Sequence, residues 1–309
     1  MEDNKKNIAV LIRTYSRILD TEALIHIIKT KWNKHKYTIF VVHNGENDGY
    51  LATNYMKENS HYIQVKENTG HRTGAASLVK EGFNVLKNRQ DFSHYIFIES
   101  DFWLLDDNLI DNYLKKMDKN KTKIAAAIWV EKIRSVAVDF FIADADYLKK
   151  NSLLLDWDNH AEQYFAKYIP HEDLTIIEEL RPVHLPRLAR FLNLSIQLVD
   201  GDRFRIFPKA TALTHHIETL ASDKNKAIQI KKGLANSLAK TEIFPAIQNV
   251  PAPQKLYIQY FSKFIPQSWW IKYITKHITL FFNKILFFAD LIVNAKLATT
   301  GHCPALTGI

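Results

Sequence analysis

The sequence predicts an α/β protein: a mostly parallel sheet with helices on both faces, plus a C-terminal helical segment that associates with a membrane. Three observations carry this expectation. Short apolar runs bounded by polar residues alternate with stretches of helical periodicity through the first half of the chain. A glycine-containing stretch, Asn68 to Ala76, joins one such run to a helix. The last fifth of the chain is dense in aromatic residues and lysines.

The elements follow in order. Ile8 to Ile12 reads as a first strand. From Thr21 onward, Leu24, Ile25, Ile28 and Trp32 recur at the spacing of one helical face. Thr38 to Val42 is a second strand, followed by the turn formers Asn44-Gly45 and Asn47-Asp48-Gly49. Ile63 to Val65 is a short third strand, and Ala75, Leu78, Val79, Gly82 and Leu86 mark the next helix. Tyr95 to Ile98 is a buried fourth strand ending in Glu99 and Asp101. Lys123 to Val130 and Val136 to Ala143 read as further strands, the second passing into a helix at Asp144. Helical patches are expected around Glu162 and Leu174, and Ile206-Phe207 begins a last strand before Thr214-His215-His216. Pro245, Pro251 and Pro253 suggest a linker, because clustered prolines interrupt helix. The expected division is a main domain over 1–245, with a first half to about residue 110 and a second half over about 111–220. A C-terminal amphipathic segment over 246–309 completes the chain.

At 309 residues, 47% hydrophobic and 24% charged, the chain has an ordinary globular composition and can bury a large core. Its single cysteine, Cys303, excludes a disulfide framework and a thiolate metal cage. The N-terminal residues lead straight into a strand-like run, so no secretory signal is expected. The net charge of +8 is unevenly spread: from Pro251 onward six lysines face one acid, Asp290. With so many aromatics beside those lysines, an anionic lipid surface is expected as partner and nucleic acid is not.

Glu99 and Asp101 fall where a strand gives way to a loop, at the carboxyl edge of an open α/β sheet, where ligands bind. Side chains two apart on a strand point the same way, so the two carboxylates can face one divalent cation. They read equally as a solvated acidic turn. In Asn68-Thr-Gly-His-Arg-Thr-Gly-Ala-Ala76, Gly70 and Gly74 allow close backbone approach, and His71 and Arg72 can reach a phosphate. A glycine-eased helix start is the plainer reading. Neither a dinucleotide fingerprint nor a Walker A loop fits.

In order and spacing these pieces resemble the nucleotide-sugar half of a GT-A glycosyltransferase, closest to the broad family 2. The matching stretches are Leu11-Ile-Arg-Thr-Tyr-Ser16, Val42-His-Asn-Gly-Glu-Asn-Asp-Gly49, Asn68 to Ala76 and Glu99-Ser100-Asp101, the last standing where the family has D-x-D. The resemblance implies that Thr14 and Tyr15 flank the nucleotide base, with Asn44 where the family places a base-contacting Asp. It implies that Arg72 contacts the diphosphate, and that Asp101, with Glu99 on metal or ribose, holds Mn2+ or Mg2+. Pro170-His-Glu-Asp-Leu-Thr175 looks like the Glu-Asp pair that opens a helix in the acceptor half of inverting members. Asp173 would then be the base, with Glu172 as understudy. A late histidine, His216 or its neighbour His215, would complete the metal site. Asp139, Asp144 and Asp146 could line the acceptor site, and Phe102, Trp103 and Trp129 could stack on a sugar; helix caps and core packing are the plainer readings.

In the C-terminal segment, Ser268-Trp-Trp-Ile-Lys272 resembles an interfacial anchor. Ile278 to Val293 contains Asn283, Lys284 and Asp290 and falls short of the about 20 apolar residues that a spanning helix needs. It reads as a helix lying in the membrane surface, or as a hairpin packed on the catalytic domain.

The implied function is a metal-dependent, inverting hexosyltransferase that moves a sugar from a nucleotide-diphosphate donor to a hydroxyl of a lipid-linked surface glycan. It would be cytoplasmic and peripheral on the inner face of the cell membrane. Two other readings stay open: a sugar-phosphate nucleotidyltransferase and a non-catalytic glycan-binding module at the membrane surface. The first is expected to show a glycine-rich first turn, which Ile12 to Arg17 lacks.

Overall fold

The computed structural model describes residues 5–89, 91–127, 135–157, 160–180, 205–207, 209–214, 221–245 and 247. The chain begins with β1 (Asn7–Thr14), α1 (Ile18–Lys31), β2 (Lys36–His43), α2 (Asn54–Asn59), β3 (His61–Gln64), α3 (His71–Leu86) and β4 (His94–Glu99). It continues through β5 (Trp103–Leu104), α4 (Asn108–Asn120), β6 (Ile124–Ala126), β7 (Phe140–Asp144), α5 (Ala145–Lys150), α6 (Ala161–Tyr168) and β8 (Leu174–Ile176). Last come β9 (Arg205–Phe207), β10 (Ala212–Thr214) and a helix, here α7, over Lys224–Ala239.

Seven strands form one sheet in the order β3-β2-β1-β4-β7-β6-β8. β1 pairs in parallel with β2 and β4, β2 with β3, and β6 with β8, whereas β7 is antiparallel to both its neighbours. Ile8 through Ile12 are wholly buried, as expected of a central strand covered on both faces. The even positions Ile8, Val10 and Ile12 join the core layer that includes α1, α4 and α7, while Ala9 and Leu11 join the one that includes α3, α5 and α6. Stacked rings tie β7 to the rest of the molecule: Phe141 lies 4.5 Å from Phe97 of β4, and Phe140 lies 5.1 Å from Phe102 beyond it. Pairs of this kind contribute about 1 kcal/mol beyond area burial. A small antiparallel sheet, β5-β10-β9, flanks the main one.

This is a mostly parallel α/β fold with helices on both faces, as expected. Several expectations need correction. The region around Leu174 is strand β8 and not helix, because Leu174, Thr175 and Ile176 pair with Ile124, Ala125 and Ala126. The Glu172-Asp173 pair opens no helix; His171–Asp173 is a single 3-10 turn leading into that strand. α7 was not expected at all. Phe102 and Trp103 are completely buried and belong to the core. Trp129, His215, His216 and the whole C-terminal aromatic segment lie outside the described residues. Among the described residues, no helix is long and apolar enough to cross a membrane.

Candidate functional site

The loops following β1, β2, β3 and β4 leave the sheet at one edge, the carboxyl edge, and the loop entering the reversed β7 joins them there. Register fixes the placement: Thr14 pairs with His43, Arg13 with Glu99, and Phe140 with Ile98. The opposite, amino edge carries His94, which pairs with Asp144.

Tyr15, just past β1, is partly exposed and packs edge-on against Tyr50 at 5.1 Å. Its phenol pKa is raised by desolvation and by its hydrogen bond to Asp48. Asn68 donates from Nδ2 to the same carboxylate at 3.0 Å and accepts from the Gly70 amide at Oδ1, 3.1 Å. Gly70 holds a left-handed φ of 93°, which lets the chain turn sharply into α3. Arg72 enters the first turn of that helix, and its side chain lies outside the described part. Asn44 is buried, its Oδ1 without a hydrogen-bond partner among the described residues, and its Nδ2 lies against Gly74, where a Cβ would come within 3.3 Å.

The turn bearing Tyr15 is fixed from beneath. His43 is wholly buried, its Nε2 2.8 Å from the Tyr15 carbonyl and its Nδ1 2.9 Å from the Tyr62 hydroxyl, which in turn donates to Glu46 at 2.9 Å. Burial lowers the His43 pKa, and because a carbonyl can only accept, Nε2 is the donor to Tyr15. Gly45 is required beside it: a Cβ there would meet the Tyr15 carbonyl oxygen at 2.2 Å. Thr14 lies inward from this pocket. It is buried, and its hydroxyl is 3.0 Å from that of Thr21 in α1.

Glu99 and Asp101 do not share a face. The strand ends at Glu99, and the Phe102 amide closes a turn on the Glu99 carbonyl at 3.0 Å. Glu99 forms an ion pair with the buried Arg13, whose guanidinium lies 5.7 Å from the Trp157 ring, on the α3–α6 side. Asp101 is directed to the α1–α7 side, where its carboxylate is 4.0 Å from Arg17 and its carbonyl accepts from Lys231 of α7 at 2.7 Å. The expected pair of ion ligands is therefore split across the sheet. Among the described residues no three acids, histidines or cysteines are grouped to hold a metal ion. Among the described residues the donors at this edge do not by themselves make up a Mn2+ or Mg2+ site, and no chemical step is derived through one.

Asp173 and Glu172 are not brought to this edge. They precede β8, which runs parallel to β6, so they sit at the amino edge. There the Asp173 carboxylate accepts from the Tyr147 hydroxyl at 2.8 Å and its carbonyl accepts from the Lys123 amide. Asp144, at the same edge, caps α5 by accepting from the Tyr147 amide at 2.8 Å, and Asp146 is exposed on that helix. Asp139 differs from them: it is buried at the carboxyl edge, and its carbonyl accepts from the Glu99 amide at 2.8 Å.

No family model and no curated protein matches the chain. Among solved structures it is similar to the bifunctional glycosyltransferase WbbM, at 12% identity over 56% of this chain and 39% of that one, TM-score 0.39. It is similar to the mannosyltransferase PcManGT from Pyrobaculum calidifontis, determined with GDP-Man and Mn2+, at 10% identity over 96% and 81% of the two chains, TM-score 0.45. It is also similar to 4-diphosphocytidyl-2C-methyl-D-erythritol synthase from Anaerococcus prevotii, at 12% identity over 62% and 96%, TM-score 0.38.

Proposed function

We propose that the chain is a hexosyltransferase-type glycosyltransferase that moves a sugar from a nucleotide-diphosphate donor to a hydroxyl of a lipid-linked surface glycan. The observation that carries this reading is the convergence of Tyr15, Asn44, the α3 N-terminus and Asp101 at one sheet edge. Tyr15 and Tyr50 offer aromatic surface to a base, with Asp48 and Asn68 as its polar neighbours. The positive end of the 16-residue α3, with Arg72 in its first turn, suits the diphosphate. Arg17, close to Asp101, adds a cation to offset charge on the departing group. Asp101 supplies a fixed carboxylate to which donor hydroxyls can donate. Of the acids that the sequence placed near the acceptor, Asp139 alone stands at this edge among the described residues. It replaces Asp173 as the carboxylate for acceptor activation. The basic, aromatic C-terminal stretch supports a position in the cytoplasm on the inner face of the membrane.

The test is a hydrolysis and transfer screen of a nucleotide-sugar panel, with and without Mn2+, using the full chain and Asp101→Asn. Turnover of one donor class by the parent and its loss in Asp101→Asn is the expected result. A parent that binds and cleaves no nucleotide sugar would overturn the reading. Strict dependence on Mn2+ would place its ligands beyond the described residues.

A further inference from the structure

Lys231 is the least expected residue of the molecule. It sits in the middle of α7, completely buried, on a face otherwise made of Ala227, Ile228, Leu234, Ala235 and Leu238. Its ammonium donates to Asp20 Oδ1 of α1 at 2.6 Å and to the Asp101 carbonyl at 2.7 Å, and it lies 4.2 Å from the Trp103 ring centroid. Asp20 is equally buried, and its Oδ2 has no hydrogen-bond partner among the described residues. A buried ion pair is a poor source of stability, since apolar side chains of the same volume serve as well or better. The arrangement is better explained by the third group it holds. Asp101 belongs to a three-residue excursion between β4 and β5, and Lys231 grips its main chain from 130 positions away.

We propose that Lys231 is a positioning residue that fixes the Asp101 turn, with Asp20 as the counter-charge that lets an ammonium stand inside the core. The turn then has its working shape only when α7 is docked. This deepens the glycosyltransferase reading and rests on it for the role of Asp101, though the clamp itself can be measured without substrate.

The experiment compares two charge-neutral pairs in the full chain, Asp20→Asn with Lys231→Met and Asp20→Asn with Lys231→Gln. Both remove the ion pair at nearly constant volume, and only glutamine keeps a donor for the Asp101 carbonyl. Hydrogen exchange at Ser100 to Trp103 and steady-state kinetics on the donor found in the panel are read together. In the methionine pair, exchange at these amides is expected to rise about tenfold, the worth of one charge-assisted hydrogen bond. The amides of α1 and α7 should keep the parent's rates. Turnover should fall by a similar factor with donor KM unchanged, and the glutamine pair should recover part of both. The two pairs behaving alike, folded or not, overturns the proposal; so does loosening throughout α1 and α7, or faster exchange with undiminished turnover. If the parent handles no nucleotide sugar, the glycosyltransferase reading fails, and the exchange comparison still decides whether Lys231 holds the turn.

Discussion

Charged side chains are treated differently at the two edges of this sheet. At the carboxyl edge they are internal: Arg13, Asp101, Asp20 and Lys231 are all buried, and each acid faces a cation brought from another element. At the amino edge several pairs are wet on at least one side, although Asp107 and Asp111 are buried there beside Lys34 and Tyr37. Lys6 pairs with Asp118, which is 60% exposed, Lys115 is 72% exposed in its pair with Asp111, and Asp146 is 83% exposed beside Lys149. Exposed pairs contribute little, because water and salt screen them, whereas buried charge is costly and must be matched. The carboxyl edge differs in holding a completely buried ammonium, Lys231, beside an equally buried acid, Asp20.

Four outcomes would break or sharpen that contrast. The largest is expected from Asp101→Asn, which should lower donor turnover on the order of a hundredfold with the fold intact, as measured by nucleotide-sugar cleavage and near-UV circular dichroism. Next, Arg13→Met leaves Glu99 without its guanidinium and should cost about 2 kcal/mol in urea denaturation. Lys6→Met at the amino edge should cost less than about 1 kcal/mol; equal losses would erase the contrast.

The third outcome concerns a buried group at the amino edge, His94, whose pKa burial pushes down to about 4. Between there and its ordinary value near 6.5, the unfolded chain binds a proton that the folded chain refuses, so stability falls as the pH drops. His94 should add about 2 kcal/mol to the stability lost from pH 7 to pH 5, so urea midpoints should record a loss smaller by about that amount in His94→Phe. The smallest effect is expected from Asp173→Asn, which weakens one hydrogen bond to Tyr147. About 1 kcal/mol of stability and no measurable turnover should be lost.

The central strands and the helices between them were legible because β1, β2 and β4 are covered on both faces and read as unbroken apolar runs. α3 shows a helical face, and α1 carries Leu24, Ile25 and Ile28 at helical spacing although it is buried on more than one side. The acceptor half was misread at a particular place. Glu172-Asp173 has the look of a helix's first turn, yet three residues of pairing to β6 outweigh that local preference, and a three-residue strand leaves almost no periodic signal. α7 was hidden by Lys231 itself, which interrupts an otherwise regular apolar face; Asp223, whose side chain caps the helix at the Lys226 amide, was the available cue. The separation of Glu99 from Asp101 had no such cue. Alternation along a strand applies only while the strand continues, and the turn closed by Phe102 ends it between them.

The central claim is that a nucleotide diphosphate is bound at the carboxyl edge, and hydrogen exchange on the full chain with and without saturating nucleoside diphosphates tests it most directly. Slowed exchange is predicted around Tyr15, at Asn44-Gly45, across Gly70 to Gly74 and at Ser100 to Phe102, with Lys34 to Lys36 and Asp144 to Tyr147 unchanged. Protection confined to the amino edge, around Asp173 and Tyr147, would contradict it.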